Sequence, residues 1–160
     1  MGAPHIRIFA GKAPKGVNQE EGEKNFIECY KECLELAAEK GVFLGLENHG
    51  GIVAEADALV RIIKAVDSPW AGINLDSGNF STADPYGDLA KIAPDAVNVQ
   101  MKMSLKAKGA NEREAMDVPK LLKILRDANY QGWFIVEYEE KEDAEIAVPG
   151  ILKDVAPLLK

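Results

Sequence analysis

Five runs of mostly apolar residues punctuate the chain, at 5–11 (HIRIFAG), 42–47 (VFLGLE), 72–76 (GINLD), 96–103 (AVNVQMKM) and 133–138 (WFIVEY). Between and after them lie segments with helical spacing, at 20–40, 55–66, 84–93, 118–129 and 143–159. Nearly continuous apolar strands alternating with amphipathic helices predict a parallel sheet with helical cover. Gly41 is positioned as a helix stop and Pro119 as a first-turn residue. Pro149 and Pro157 predict a break or kink in the last helix. The polar stretch 106–117, which contains Gly109, predicts a surface loop. The strand–helix unit recurs roughly every 30 residues, a βα period rather than that of a short solenoid repeat. With no linker or low-complexity segment, the expectation is one domain over 1–160.

Four of the strands end in polar residues: Glu47, Asp76, Gln100 and Glu137. Side chains two apart share a face of a strand. Glu47 therefore lies with Gly45 and His49, Asp76 with Asn74, Gln100 with Asn98 and Lys102, and Glu137 with Ile135 and Glu139. Leu44, Leu46, Ile73, Leu75, Val97, Val99, Phe134 and Val136 take the opposite faces, against helices. A carboxylate at the end of a buried strand is costly without a partner. Three carboxylates and an amide are hard oxygen donors that suit Mg²⁺ or Mn²⁺. Taken alone, each is equally explained as a buried polar group with a partner. Four at matching depth on successive strands favour a site, at the C-terminal edge where α/β folds place their chemistry.

Composition narrows the function. The 160 residues are 47% hydrophobic and 28% charged, and the net charge of −7 argues against a general nucleic-acid or membrane-surface role. No apolar run reaches membrane-span length and no signal peptide opens the chain. Cys29 and Cys33, four apart on a predicted helix, read as a core-facing thiol pair beside Phe26, Leu36 and Ala37, which predicts a reducing, cytoplasmic setting. The glycines of FAGKAPKG (9–16) match neither a dinucleotide nor a phosphate-loop spacing, so the segment reads as a turn, with Lys12 or Lys15 as a weak anion option. Of the two histidines, His5 opens the first strand and reads as structural, whereas His49 lies within reach of the strand ends. No nucleophile elbow appears, and two cysteines cannot build a zinc ribbon.

LENHGG (46–51), LDSGNF (75–80), VQMKMS (99–104) and GWFIVEYE (132–139) together resemble the xylose isomerase-like barrels of the sugar phosphate isomerase/epimerase superfamily. The resemblance spans nearly the whole chain and aligns HIRIFAG with the fourth barrel strand. It implies a partial TIM barrel of five parallel βα units, strands four to eight. It also implies a divalent metal, Mn²⁺ or Mg²⁺, on Glu47, Asp76, Gln100 and Glu137. Gln100 stands where many members have histidine, and hydroxypyruvate isomerase-like members resemble this chain in using glutamine there. Asn79 falls where some members have a second histidine. The superfamily's endonucleases use more histidines than this chain has. The implied chemistry is isomerisation or epimerisation of a sugar, sugar phosphate or hydroxy-keto acid through an enediolate. Glu47 and Glu137 would be its acid/base pair and Asn79 a substrate contact. The strand faces add His49, equally explained as a loop histidine, and Lys102, equally explained as a solvated strand-end lysine, as further substrate contacts.

A full barrel needs eight βα units and about 250 residues. Five parallel strands leave two open edges and an uncovered inner face. The expectation is therefore a homodimer or higher oligomer that covers that face, with a non-catalytic, self-associating half-barrel retaining at most metal binding as the alternative.

Overall fold

The computed structural model describes residues 2–159. The chain runs β1 (His5–Ile8), α1 (Gln19–Lys40), β2 (Phe43–Glu47), α2 (Ala56–Val66), β3 (Ala71–Asp76), α3 (Pro85–Ile92) and β4 (Ala96–Met101). A short antiparallel pair follows, β5 (Ser104–Leu105) with β6 (Glu114–Ala115), then α4 (Val118–Asp127), β7 (Phe134–Val136) and α5 (Ala144–Val155). The main sheet is parallel throughout, in the order β1-β2-β3-β4-β7. In a flat sheet its outer strands would lie about 19 Å apart. Instead Arg7 on β1 comes within 3.6 Å of Glu137, just beyond β7. The sheet is curled into a half-barrel, the partial TIM barrel that the sequence resembles.

Capping fixes where the helices begin. Asn18 accepts a hydrogen bond from the Glu21 amide at the start of α1, Asp84 accepts one from Gly87 at α3, and Asp117 accepts one from Lys120 at α4. Gly41 closes α1 at φ 65°, a conformation glycine adopts without strain. The core lies between the outer face of the sheet and the helices. Leu46, Ile73, Leu75, Val99 and Met101 pack there with Leu59 and Ile62 of α2, Leu89 and Ile92 of α3, and Leu121 of α4. Buried Tyr30 of α1 donates to the Leu44 carbonyl at 2.6 Å, which ties helix to strand. Tyr30→Phe deletes that bond and leaves the ring, so a loss of about 1 kcal/mol is expected in urea melts.

Several sequence expectations change. The two cysteines are exposed, not core-facing. Tyr30, Leu34 and Ala37 carry the buried stripe of α1, while Cys29, Cys33 and Leu36 form a second, outward one. Their four-residue spacing fixed a shared face but not which face. Val97 is turned inward. The β3–β4 register slips between Ile73 and Asn74, so Ala96 pairs with Ile73 and Asn98 with Asn74, and Val97 lies over Gly72. The stretch expected as loop contributes β6, which pairs back on β5. Pro149 sits inside α5 without ending it, and the 3₁₀ turn at Ala156–Leu159 carries Pro157. The strand ends are staggered rather than level. Asp76 faces Gln100 directly, but Glu47 faces Asn74, and Glu137 lies two residues beyond Ile135, the partner of Gln100. Such stagger accompanies the curling of a parallel sheet towards a barrel.

Candidate active site

The alternation of β2, β3 and β4 sends Glu47, Asn74, Asp76, Asn98 and Gln100 to the inner face, and all five are buried. Glu47 is held from three sides. Asn79 Nδ2 donates to its Oε1 at 3.1 Å, Asn74 Nδ2 to its Oε2 at 3.2 Å, and Arg7 Nη1 lies 3.2 Å from that Oε2. Burial raises its pKa above the ordinary glutamate value, opposed chiefly by Arg7.

Asp76 is fully buried. Its Oδ1 accepts from the Gly78 amide at 2.8 Å, while its Oδ2 has no hydrogen-bond partner. Burial, and next the neighbouring Glu137 carboxylate, push Asp76 up to about 7. Oε2 of Glu137 is likewise buried and without a partner. An orphaned carboxylate oxygen inside a protein is rare enough to mark a place for chemistry.

Lys102 threads between these groups. Its Nζ lies 2.7 Å from Glu139, 3.6 Å from Asp76 and 3.7 Å from Glu137, and it donates to Asn79 Oδ1 at 3.0 Å. Burial works against its charge, but the Glu139 hydrogen bond and the surrounding carboxylates outweigh it, leaving its pKa raised. Gln100 joins through amides. Asn98 donates to Asn74 at 2.8 Å, and Asn74 donates in turn to the side-chain oxygen of Gln100. His49 is exposed at the rim, where the Phe9 ring meets it edge-on, with centroids 5.0 Å apart. His5 lies over Gly45, at the other end of β1 from Phe9, with its Nε2 buried and unpaired.

The structure thus gathers Glu47, Asp76, Glu137, Lys102 and Asn79 into one network, reaches Gln100 through Asn74, and leaves His49 at the mouth. Among the described residues, no three histidine, cysteine, aspartate or glutamate side chains converge at metal-holding geometry. The carboxylates bracket two cations instead, Lys102 and Arg7. In chemistry the donor set still fits a hard divalent cation, since two of its buried oxygens are unclaimed.

Sequence reasoning passed over two residues. Arg7 shares its face of β1 with His5, and the parallel register sets it beside Gly45, two residues before Glu47; alternation was the signal. Asn48 lies on the other face, where its side chain accepts from the Asp76 amide at 2.8 Å and donates to the Asp76 carbonyl at 2.9 Å. A crevice of about 160 Å³, lined by Lys102, Arg113, Glu139 and Glu140, adjoins the network. The wider groove of about 810 Å³ beside α1 and α2 lies away from the strand ends and holds none of these groups.

A parallel half-barrel with acidic strand ends defines a class of protein, and the family comparison agrees with it. Residues 1–155 match the xylose isomerase-like TIM barrel, and the chain belongs to that family. Inosose dehydratase of Bacillus thuringiensis (strain Al Hakam) is 27% identical over 137 residues, covering 71% of this chain and 45% of that protein. The chain thus spans about half the length of the curated relatives it matches. A xylose isomerase-like TIM barrel protein from Mycobacterium smegmatis, solved in complex with magnesium, superposes with a TM-score of 0.76 at 18% identity, over 99% of this chain and 63% of that one. A D-tagatose 3-epimerase-like protein gives 0.73 at 20% identity, over 96% and 62%. No helix among the described residues is long and apolar enough to cross a membrane.

Proposed function

We propose that this chain carries the metal-binding and proton-transfer half of a sugar isomerase or epimerase site. Its substrate is a small ketose, sugar phosphate or hydroxy-keto acid. The observation that carries the reading is the carboxylate cluster on the inner face: Glu47 and Asp76 buried, Glu137 beside them, and two of the oxygens without partners. Glu47, Asp76, Gln100 and Glu137 would hold the cation, Mg²⁺ or Mn²⁺. When bound there, such a cation supplies polarisation of a substrate carbonyl and its neighbouring hydroxyl. The magnesium in the Mycobacterium smegmatis structure supports the choice of a divalent ion. The epimerase-like and inosose dehydratase matches support a sugar-like substrate.

The chain's own residues divide the remaining work. Glu47 and Glu137 come from β2 and the end of β7, so they approach a bound carbon from two sides and can take and return its proton. Burial raises the Glu47 pKa from its ordinary value, which eases the uptake of a proton by its carboxylate. Lys102 and Asn79, already hydrogen-bonded to each other, present a donor to a substrate oxygen. His49 lines the entrance. The test is proton exchange in D₂O with Mn²⁺, using a panel of ketoses and hydroxypyruvate followed by NMR. Deuterium should enter next to the carbonyl of at least one compound and fail to enter with Glu47→Gln or Glu137→Gln. No exchange into any member overturns the catalytic reading.

A second reading rests on surface rather than site. Ile6, Leu36, Trp133, Ile135 and Ile146 are exposed, and an almost wholly apolar groove of about 360 Å³ runs between β1 and α1. Exposed apolar area on this scale favours self-association into a scaffold without turnover. Light scattering decides it, because a monodisperse monomer removes this reading.

A further inference from the structure

Arg7 is the one strongly basic group on β1 that reaches the carboxylates from the free edge of the sheet. A single nitrogen, Nη1, lies 3.2 Å from Glu47 and 3.6 Å from Glu137, the two glutamates assigned above to proton transfer. Those oxygens come from strands far apart in the sheet order, so this guanidinium links the two sides of the half-barrel mouth. The same guanidinium sits over the Phe9 ring, 5.0 Å from its centroid. Phe9 is itself half exposed and braced edge-on by His49. The side chain therefore has two favourable seats, one ionic and one on an aromatic face. Four carboxylates (Glu47, Asp76, Glu137 and Glu139) surround two cations, Arg7 and Lys102. Their formal charges leave an excess of two negative charges, that of one divalent cation.

We propose that Arg7 is an exchangeable counter-cation of this site, which competes with a divalent metal for Glu47 and Glu137 and keeps its seat on Phe9 when the metal displaces it. The inference rests on the metal-site reading above. A cation fixed beside the ligands lowers the affinity of an incoming one in two ways: it occupies their lone pairs and it repels the second charge. Arg7 thereby makes the metal loosely held and replaceable, and it keeps the glutamates compensated in the metal-free chain.

The experiment is a Mn²⁺ titration of the full chain at pH 7.5 and low ionic strength, followed by calorimetry and by the electron paramagnetic resonance signal of free Mn²⁺. It compares wild type, Arg7→Gln, Arg7→Met and Arg7→Lys, with circular dichroism to establish folding. The two neutral variants should bind Mn²⁺ roughly tenfold tighter than wild type, and the lysine variant should stay within about threefold of it. Binding by the neutral variants where wild type shows none also supports the proposal. Unchanged or weaker binding in folded neutral variants overturns it while leaving the metal site standing, because Arg7 would then be holding the glutamates in place for the metal. No binding by any of the four proteins overturns both readings together.

Discussion

Asp76→Asn is expected to make the metal-stripped protein more stable at pH 8 and, at the same time, to weaken Mn²⁺ binding by roughly 100-fold or more, about 3 kcal/mol. Both effects come from one buried oxygen. Oδ2 of Asp76 has no hydrogen-bond partner, and burial with Glu137 nearby holds the folded-state pKa at about 7, against an ordinary value of 3.8. The linkage follows from proton counts. At pH values below both, folded and unfolded chains carry the proton alike. Between about 4 and 7 the unfolded chain has lost it and the folded chain keeps it, so stability falls as pH rises. Above 7 the penalty is complete, and its upper bound is about 4 kcal/mol. Asparagine carries no such charge, so urea melts in EDTA at pH 5 and pH 8 should differ less for the variant than for wild type. Equal pH slopes would remove the claim that Asp76 is a strained acid. The loss of affinity follows because an amide replaces a carboxylate that can balance a divalent charge.

Asn48→Ala is expected to cost about 2–6 kcal/mol and to loosen the site from behind. The Asn48 side chain makes a reciprocal pair with the backbone of Asp76, accepting from its amide and donating to its carbonyl. All of these atoms are buried, and alanine leaves the amide and the carbonyl without partners at about 1–3 kcal/mol each. Because that backbone carries the Asp76 carboxylate, Mn²⁺ affinity should drop with stability. Asn48→Asp separates the two bonds: it keeps an acceptor for the amide but turns a second oxygen towards the carbonyl. Chemical denaturation of all three proteins checks this, and a loss in Asn48→Ala below about 0.5 kcal/mol would contradict it.

The sequence was most informative where a polar residue interrupts an apolar run. Glu47, Asp76, Gln100 and Glu137 stand out because desolvation makes each of them expensive, and period-two alternation assigns their faces. The parallel sheet with its helical cover follows from the same runs, and the half-barrel from the resemblance that its strand-end motifs carry. What remained hidden depended on neighbours the chain meets only after folding. The register slip that turns Val97 inward leaves no local signature, since its β-branched side chain suits either face. The outward stripe of Cys29, Cys33 and Leu36 looked like core because helical spacing records which residues align, not what lies opposite them. Arg7 was hidden by distance, since its partners lie 40 and 130 residues further along the chain. The staggered strand ends belong to the same group, because depth in a curled sheet is set by shear and cannot be read from counting along separate strands.

The amides behind the carboxylates have a direction. Asn98 gives a hydrogen to Asn74, and Asn74 spends its two hydrogens on Gln100 and Glu47. Each amide in this row is held by its neighbours, and Glu47, which only accepts, pins the row at one end. The Gln100 oxygen already receives a hydrogen from Asn74, so one lone pair is left for anything arriving at the site. Glu47, whose carboxylate only accepts, holds Asn74 in this orientation, and Asn98, a buried residue that touches none of the carboxylates directly in this row, supports it by donating to the Asn74 oxygen. A leucine at 98 would leave the buried Asn74 oxygen without its donor while the bonds to Glu47 and Gln100 remain. A residue that never meets a ligand would thereby weaken the support of one, at a cost of about 1–3 kcal/mol and without any change in charge.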